Sequence, residues 1–288
     1  SEYESYKNQN EQILNGLKYI PQIIAKVTGK ENYTLSDLKK WNPKDENELQ
    51  VKYIAIAMLT GEISVELIEE QLKSINVVLN YQLNHNYDDR VLIGDNINDI
   101  KNIKYGNNNV EGPDALHGTH VAGIIAANRG NNLGGDGVAS NVKIMSLRAV
   151  PNGDEFDKDI ALAIRYAVNN GAKVINMSFG KAYSTNQRAV YDAMSYADSM
   201  GVLMVHAAGN DHKNIDVESN FPAVKYDFQK KSFDLLLTIG ASTNLSGGNL
   251  AADFSNYGKK NVDVFAPGQD IYNTIPNNKY KKLDGTSM

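Results

Sequence analysis

Two residues of this 288-residue chain, far apart in sequence, could together perform nucleophilic catalysis. His117 opens the string HGTHVAG, and Ser287 stands in the final string GTSM. A serine hydroxyl is a weak nucleophile unless a base such as histidine takes its proton. If Ser287 begins a helix, backbone N–H groups and the helix dipole also favour negative charge beside it. The pair therefore indicates acyl-transfer chemistry, although a lone histidine or serine more often has a structural role.

Two further strings place small and polar residues directly after apolar stretches. Because glycine lets a second backbone approach, an extended peptide could add to the edge of a sheet at the first string. The amide of Asn210, at the end of the second string, could donate a hydrogen bond to an oxyanion. Alone, each string is also a simple turn after a strand. They consist of Ser178, Phe179 and Gly180 in the first and Ala207, Ala208, Gly209 and Asn210 in the second.

His120 lies three residues after His117 and raises the question of a metal site. The two-histidine zinc helix needs a spacing of four residues with a glutamate between the histidines. Neither condition is met here, so we predict no metal at these residues and a packing role for His120.

The region from about Val91 onward alternates between strand and helix patterns. The strands are apolar without alternation, as expected when helices cover both faces of a parallel sheet. We therefore predict an α/β fold with a doubly wound parallel sheet, in which the four strings lie at strand ends or helix starts. Strands are predicted at 142–147, 173–177, 202–206, 235–239 and 262–265, and helices near 117–128, 157–169 and 185–200.

Residues 1–85 have only helical patterns. An apolar stripe from Ile13 to Val27 ends before Gly29, and Thr34 followed by Asp37 resembles an N-terminal cap. A second long helix is predicted from about 45 to 59, and Ser64 opens another. We interpret this part as an all-helical segment that packs as a small bundle, with binding of a partner as the alternative.

Composition excludes several classes of function. The net charge is −5 and no basic stripe with interleaved aromatic residues occurs, so nucleic acid is not an expected partner. No run of eighteen apolar residues occurs, so no membrane span is predicted. The absence of cysteine excludes disulfides, thiolate metal sites and a cysteine nucleophile.

Together, the four strings in this order resemble the subtilisin-like serine proteases, the subtilases, over residues 86–288. The strings FSNYG at 254–258 and DVFAPG at 263–268 are similar to further motifs of that family. The resemblance implies a serine endopeptidase that acts on polypeptides through an Asp-His-Ser triad and needs no cofactor for the reaction. It also implies a cis peptide bond before Pro222 and a location outside the cell or at the cell envelope.

The same resemblance assigns roles to individual residues. His117 would be the general base and Ser287 the nucleophile, with the Asn210 side chain and the Ser287 N–H forming the oxyanion hole. The 178–180 string would hold the substrate backbone. The small residues 207–209 would line the pocket for the residue before the scissile bond and favour medium or large apolar side chains.

The chain departs from the family pattern at the triad aspartate. Neither Asp-Thr-Gly nor Asp-Ser-Gly precedes His117. Asp95 is a local candidate and Asp114 a weaker one, but we expect the aspartate to lie upstream of residue 1. Residues 1–85 would then be a helical insertion between the aspartate and histidine motifs. With the helix after Ser287 also lacking, the chain taken alone is expected to have little or no activity.

Two alternatives and one metal site stay open. The chain could be an inactive subtilase-like domain whose helical segment binds a partner. An esterase is the other hydrolase considered, but its Gly-x-Ser-x-Gly motif does not occur. The loop 128–136 contains Asp136, asparagines and carbonyls that could bind a structural calcium ion, while its glycines could equally form a flexible turn.

Overall fold

The computed structural model describes residues 2–288, which form two compact units, one ending at Asp89 and the other beginning at Arg90. Residue 1, the first of the predicted helical segment, lies outside the described residues. The predicted boundary between 85 and 86 lies four residues before the observed division. No helix in the described part of the chain has the length and apolar character needed to cross a membrane.

The first unit contains four α-helices, counted over residues 2–89: α1 Glu2–Thr28, α2 Leu35–Lys40, α3 Glu46–Thr60 and α4 Val65–Val77. Thr34 forms a capping box with Asp37, and Ser64 caps α4 by accepting the N–H of Leu67. Gly61 ends α3 in the left-handed conformation, with φ of 79°. These caps confirm the helix starts and stop predicted from sequence. Leu17, Ile20, Ile24, Leu38, Ala55, Ile68 and Leu72 are buried between these helices.

The second unit is built on a parallel sheet whose order among the described strands is β1-β2-β3-β4. Three helices belong to this unit, and an antiparallel hairpin follows the sheet and leads to Ser287. The fold is therefore the α/β class predicted from sequence. The strands are β1 Val174–Met177, β2 Leu203–Ala207, β3 Leu236–Ser242 and β4 Val264–Pro267, the hairpin strands are β5 Ile271–Ile275 and β6 Lys279–Leu283, and the helices are α5 Leu116–Ala126, α6 Asp157–Asn169 and α7 Gln187–Ser199.

The core of the second unit lies between the sheet and the pair α6 and α7. Met177 and Met204 from the strands pack with Ile160, Ile164 and Met194 from the helices, and each is at most 3% exposed. Burial of side chains of this size stabilises the fold by roughly 1.5–3 kcal/mol each. This packing fixes the strand ends on which the site residues lie.

One predicted strand is wrong. Residues 142–147 form neither strand nor helix, and Val142, Ile144 and Met145 are exposed. A strand needs a neighbour that accepts and donates its main-chain hydrogen bonds. Within residues 2–288, β1 pairs only with β2, and the segment 142–147 joins no ladder. The apolar sequence of 142–147 therefore predicted a strand, but among the described residues the segment has no neighbouring strand to pair with.

Candidate active site

The segment containing Ser287 is tied to the loop after β2 by Thr286. Thr286 Oγ1 accepts the N–H of Gly209 at 3.1 Å and donates to Asn210 Oδ1 at 2.9 Å. The N–H of Thr286 donates to the same Asn210 oxygen at 2.8 Å. Gly285 extends the connection, because its N–H donates to Gly268 O at 2.8 Å. Two motifs separated by more than seventy residues are thus held in one network.

Two nitrogen atoms that can donate hydrogen bonds lie close to one point beside Gly285. A Cβ atom placed on Gly285 would lie 3.6 Å from Asn210 Nδ2 and 3.7 Å from the backbone nitrogen of Ser287. Neither nitrogen donates to a protein acceptor among the described residues. Since Asn210 Oδ1 is occupied by Thr286, the Asn210 amide is oriented with its NH₂ group free. The arrangement can stabilise an anionic oxygen.

Asn256, from the FSNYG string, orders the loop between β2 and Asn210. Its Oδ1 accepts the N–H groups of Asp211 at 3.0 Å and Lys213 at 2.8 Å, while its Nδ2 donates to Ala208 O at 2.8 Å. Asn256 is 2% exposed. The motif therefore acts at the site by fixing the backbone on both sides of Gly209.

Asn220 is a site residue that sequence reasoning missed. Its Nδ2 donates to Ala208 O at 3.1 Å. A Cβ placed on Gly180 would lie 3.3 Å from Asn220 Oδ1, and one placed on Gly209 would lie 3.9 Å from Asn220 Nδ2. Asn220 therefore lies between the two predicted binding strings. Its position before the predicted cis bond of Phe221–Pro222, which the structure confirms, was the one sequence signal that could have identified it.

The string 178–180 follows β1 as an extended edge segment. Ser178 Oγ donates to Ser287 O at 2.9 Å, and Ser287 Oγ donates to Ser178 O at 3.3 Å. In the part of the chain that the structure describes, Ser178 and Gly180 form no main-chain hydrogen bond with another segment. Apart from Ser178 O, which accepts from the Ser287 hydroxyl, their N–H and C=O groups are available to an added strand.

His117 lies in the first turn of α5 and is exposed. Partial desolvation and the neighbouring His120 hold the pKa of His117 below its ordinary value, while the Asp114 carboxylate opposes this shift. No hydrogen bond joins His117 to Ser287 among residues 2–288. With its pKa lowered, the His117 ring is uncharged at neutral pH, which is the form that can accept a proton.

His120, one turn after His117 on α5, is fully buried. Its Nε2 lies 3.0 Å from Ile271 O and 3.1 Å from Lys281 O, and its Nδ1 lies 3.0 Å from Met288 Sδ. Both carbonyls belong to the hairpin, so His120 fixes α5 to β5 and β6. This contact is the packing role expected for His120.

Neither candidate for the triad aspartate hydrogen-bonds to His117. Asp95 forms buried ion pairs with Arg90 and Lys158. Burial opposes its ionisation, but hydrogen bonds from Lys158 and Arg90 outweigh this and hold the pKa of Asp95 below its ordinary value. Asp114 accepts the N–H of Leu116 at 2.9 Å at the start of α5. An aspartate upstream of residue 1 stays a prediction.

The loop 128–136 offers one carboxylate to a cation. Asp136 Oδ1 accepts the N–H of Gly130 at 3.2 Å, and Asn131 Oδ1 accepts that of Leu133 at 3.0 Å. Across residues 2–288 no group of three or more His, Cys, Asp or Glu side chains could hold a metal ion. The structural calcium ion considered for this loop stays a prediction.

Comparison with known proteins gives one family. A sequence model of the subtilase family matches residues 61–288. The thermophilic serine proteinase of Bacillus sp. (strain AK1) is 40% identical over 173 residues, which are 60% of this chain and 39% of that protein. The cell wall-associated protease of Bacillus subtilis (strain 168) is 39% identical over 184 residues, 64% of this chain and 19% of that protein.

Solved structures agree with this result. A psychrophilic protease aligns with a TM-score of 0.50 at 31% identity, covering 60% of this chain and 59% of that one. The chain thus spans less than two thirds of the length of each of these proteins.

Proposed function

The chain belongs to the subtilase family, and from that premise we propose that it is the part of a serine endopeptidase that carries the nucleophile, the base and the oxyanion donors. The observation that carries the proposal is the pair of unpaired N–H donors, from Asn210 and Ser287, whose nitrogens lie close to one point beside Gly285. A turn with a purely structural role does not require the Asn210 and Ser287 donors to lie near the same point.

In the proposed reaction, His117 takes the proton of Ser287 Oγ as the oxygen attacks the carbonyl carbon of a peptide bond. The present bond from Ser287 Oγ to Ser178 O, at 3.3 Å, is long and is easily exchanged for one to His117. The carbonyl oxygen becomes an oxyanion that accepts from Asn210 Nδ2 and the Ser287 N–H. His117 then protonates the leaving amine, and water hydrolyses the acyl-enzyme by the reverse proton transfers.

The substrate is proposed to be a polypeptide that lies extended along the string 178–180. The Ser178 N–H and the main-chain groups of Gly180 are free to bind it, and Gly180 lacks a Cβ that would obstruct its approach. Residues 207–209 would line the pocket for the side chain before the scissile bond. Asn220, which donates to Ala208 O, would lie beside that pocket, and the small residues favour medium or large apolar side chains.

A serine-directed fluorophosphonate probe tests the proposal on the protein produced from the full reading frame. We expect labelling of Ser287, confirmed by peptide mapping, and loss of labelling in Ser287→Ala. His117→Ala should also abolish it, since the serine would lack its base. A folded wild-type protein that is not labelled would contradict the proposal and favour an inactive subtilase-like domain.

Location and ions are separate proposals. An extracellular or cell-envelope location is supported by the cell wall-associated relative, whereas another subtilase of similar identity is named as a major intracellular serine protease. Cell fractionation with an antibody distinguishes the two. No cofactor is proposed for hydrolysis, and a structural calcium ion would be detected as a rise in melting temperature that EDTA reverses.

A further inference from the structure

A polar cavity of about 240 Å³, partly open to solvent, lies beside Asn220, and its lining includes two neighbouring residues of the sheet. His206 on β2 and Thr238 on β3 are register partners in the parallel ladder. Their side chains are 1% and 0% exposed. Directly opposed residues of adjacent strands place their side chains on the same face of a sheet, so both side chains share one side of this cavity.

Each of these two side chains has a buried polar atom that no other described residue satisfies. His206 Nδ1 and Thr238 Oγ1 have no hydrogen-bond partner in residues 2–288. The other ring nitrogen, His206 Nε2, lies 3.0 Å from Phe179 O. Because a carbonyl oxygen only accepts, Nε2 carries the hydrogen in that bond, and Nδ1 is left with a lone pair when the ring is neutral.

We propose that His206 is a positioning residue for substrate binding, holding the 178–180 string through its Nε2–H bond to Phe179 O while Nδ1 accepts from an ordered water shared with Thr238 Oγ1. A buried unsatisfied polar atom is costly, and a polar cavity of this size has room for water. Water fits both atoms, since it donates to the lone pair of Nδ1 and can accept from or donate to the threonine hydroxyl.

The bond to Phe179 O controls which groups of the string face a substrate. In an extended segment, successive residues present their main-chain groups to opposite sides. With the Phe179 carbonyl taken by His206, the main-chain groups of Ser178 and Gly180 face the other way, where Ser178 O accepts from the Ser287 hydroxyl and the others stay free. A Cβ placed on Gly180 would lie 3.7 Å from His206 Nε2, so the ring lies directly against this part of the string.

The surroundings keep the His206 ring neutral. Burial lowers the pKa of His206 to about 4, although its bond to Phe179 opposes the shift. Of the charged residues that line the cavity, Asp216 accepts the N–H groups of Lys259, Lys260 and Asn261. The other charged lining residues are Glu218, Lys225 and Asp227. The neutral tautomer is therefore the binding form at physiological pH.

The inference rests on the proposed protease function, and three variants of the full-length protein separate the two. His206→Leu fills the space but cannot donate, His206→Gln can place an amide N–H where Nε2–H lies, and Thr238→Val keeps its shape and the Phe179 bond. With peptides extending several residues before the scissile bond, we expect His206→Leu to raise KM about tenfold, the loss of roughly one hydrogen bond, with kcat unchanged. His206→Gln should restore most of the affinity, and Thr238→Val should change KM less than about twofold.

¹⁵N NMR of histidine supplies a readout that needs no activity. We expect the His206 ring to be protonated at Nε2 alone from pH 7 down to about pH 5, in both the wild type and Thr238→Val. Protonation at Nδ1, or a charged ring at pH 6, would overturn the inference even if His206→Leu failed to fold. Unchanged KM in a folded His206→Leu, or His206→Gln no better than leucine, would also overturn it. A wild type that is not labelled at Ser287 contradicts the protease function instead and leaves the tautomer result standing.

Discussion

The serine side and the histidine side of the candidate site are held in different ways. On the serine side, Thr286 and Asn210 share hydrogen bonds that connect β2 to the end of the hairpin. On the histidine side, α5 is fixed through the buried His120, while no hydrogen bond among the described residues orients the ring of His117. The Asn210 amide, a proposed oxyanion donor, is thus preorganised by hydrogen bonds, whereas His117, the proposed base, is placed by its helix alone.

Replacing Ser287, the proposed nucleophile, has the largest expected effect, which is on kcat. Ser287→Ala in the full-length protein removes the attacking oxygen, and we expect kcat to fall about 10⁶-fold, the loss measured for the corresponding change in subtilisin. Hydrolysis of a chromogenic peptide measures it. Because the alanine leaves the backbone N–H in place, binding of an unreactive peptide should be unchanged. Residual activity within a hundredfold of wild type would show that another residue is the nucleophile.

The next largest effect tests the preorganised side. Asn210→Asp keeps the oxygen that accepts from Thr286 but replaces the N–H donor by an oxygen. We expect kcat to fall about 10²–10³-fold with KM little changed, the range that the loss of one oxyanion donor costs in subtilisin. Asn210→Ala, which also loses the Thr286 bonds, serves as the control and should lower stability as well. If the aspartate variant kept wild-type kcat, Asn210 would be only a structural residue.

Overpacking at Gly123 should shift α5, and with it His117, the proposed base, without changing His117 itself. A Cβ on Gly123 would collide with Asn273 and Thr274 of β5. We expect Gly123→Ala to destabilise the second unit by about 1–3 kcal/mol and to reduce the rate of Ser287 labelling. Gly118→Ala, on the same helix with no atom within 4 Å of the added carbon, is the matched control. Equal melting temperatures and labelling rates for the two variants would contradict the contact.

The Thr286 network gives a smaller effect on the serine side. Thr286→Val preserves shape but removes the acceptor for Gly209 N–H and the second donor to Asn210. We expect a loss of about 1–2 kcal/mol in denaturant unfolding, and a moderate fall in labelling rate because the Asn210 amide is less firmly held. Thr243→Val, at a hydroxyl that bonds to Asn249 O in a surface loop, controls for loss of a threonine hydroxyl. If Thr243→Val lowers the free energy of unfolding and the labelling rate as much as Thr286→Val does, the hydrogen bonds of Thr286 have no special role.

The last effect concerns pH. The His206 pKa of about 4 lies below its unfolded value near 6.5, so the unfolded state binds more protons between these two values. The free energy of unfolding has its full value above about pH 6.5. It falls as the pH drops toward 4, by at most about 1.4 kcal/mol per pH unit. The lowered pKa of His117 acts in the same direction. Urea unfolding across this range measures it. His206→Gln should flatten the slope, and an equally steep slope in that variant would assign the effect elsewhere.

Sequence reasoning was reliable where the signal was local. Capping at Thr34 and Ser64, the stop at Gly61 and the apolar strand 202–206 all follow from short-range chemistry, and each is present. It was wrong at 142–147 because a strand depends on a neighbour that composition does not reveal. Asn220 was missed for a related reason, since its importance arises from two glycines distant in sequence. The Phe179–His206 bond is likewise visible only once two strands are paired.

The hairpin formed by β5 and β6 connects the two sides of the candidate site. Its strand β5 meets α5 at Gly123, both its strands supply the carbonyls that hold His120, and its chain runs on to Ser287 within four residues of Leu283. The hairpin therefore sets the spacing between His117, the proposed base, and Ser287, the proposed nucleophile, because the segments that carry them are connected through it and not across the sheet. A change at its turn, far from either reacting atom, would alter the separation of His117 and Ser287 while leaving the core intact.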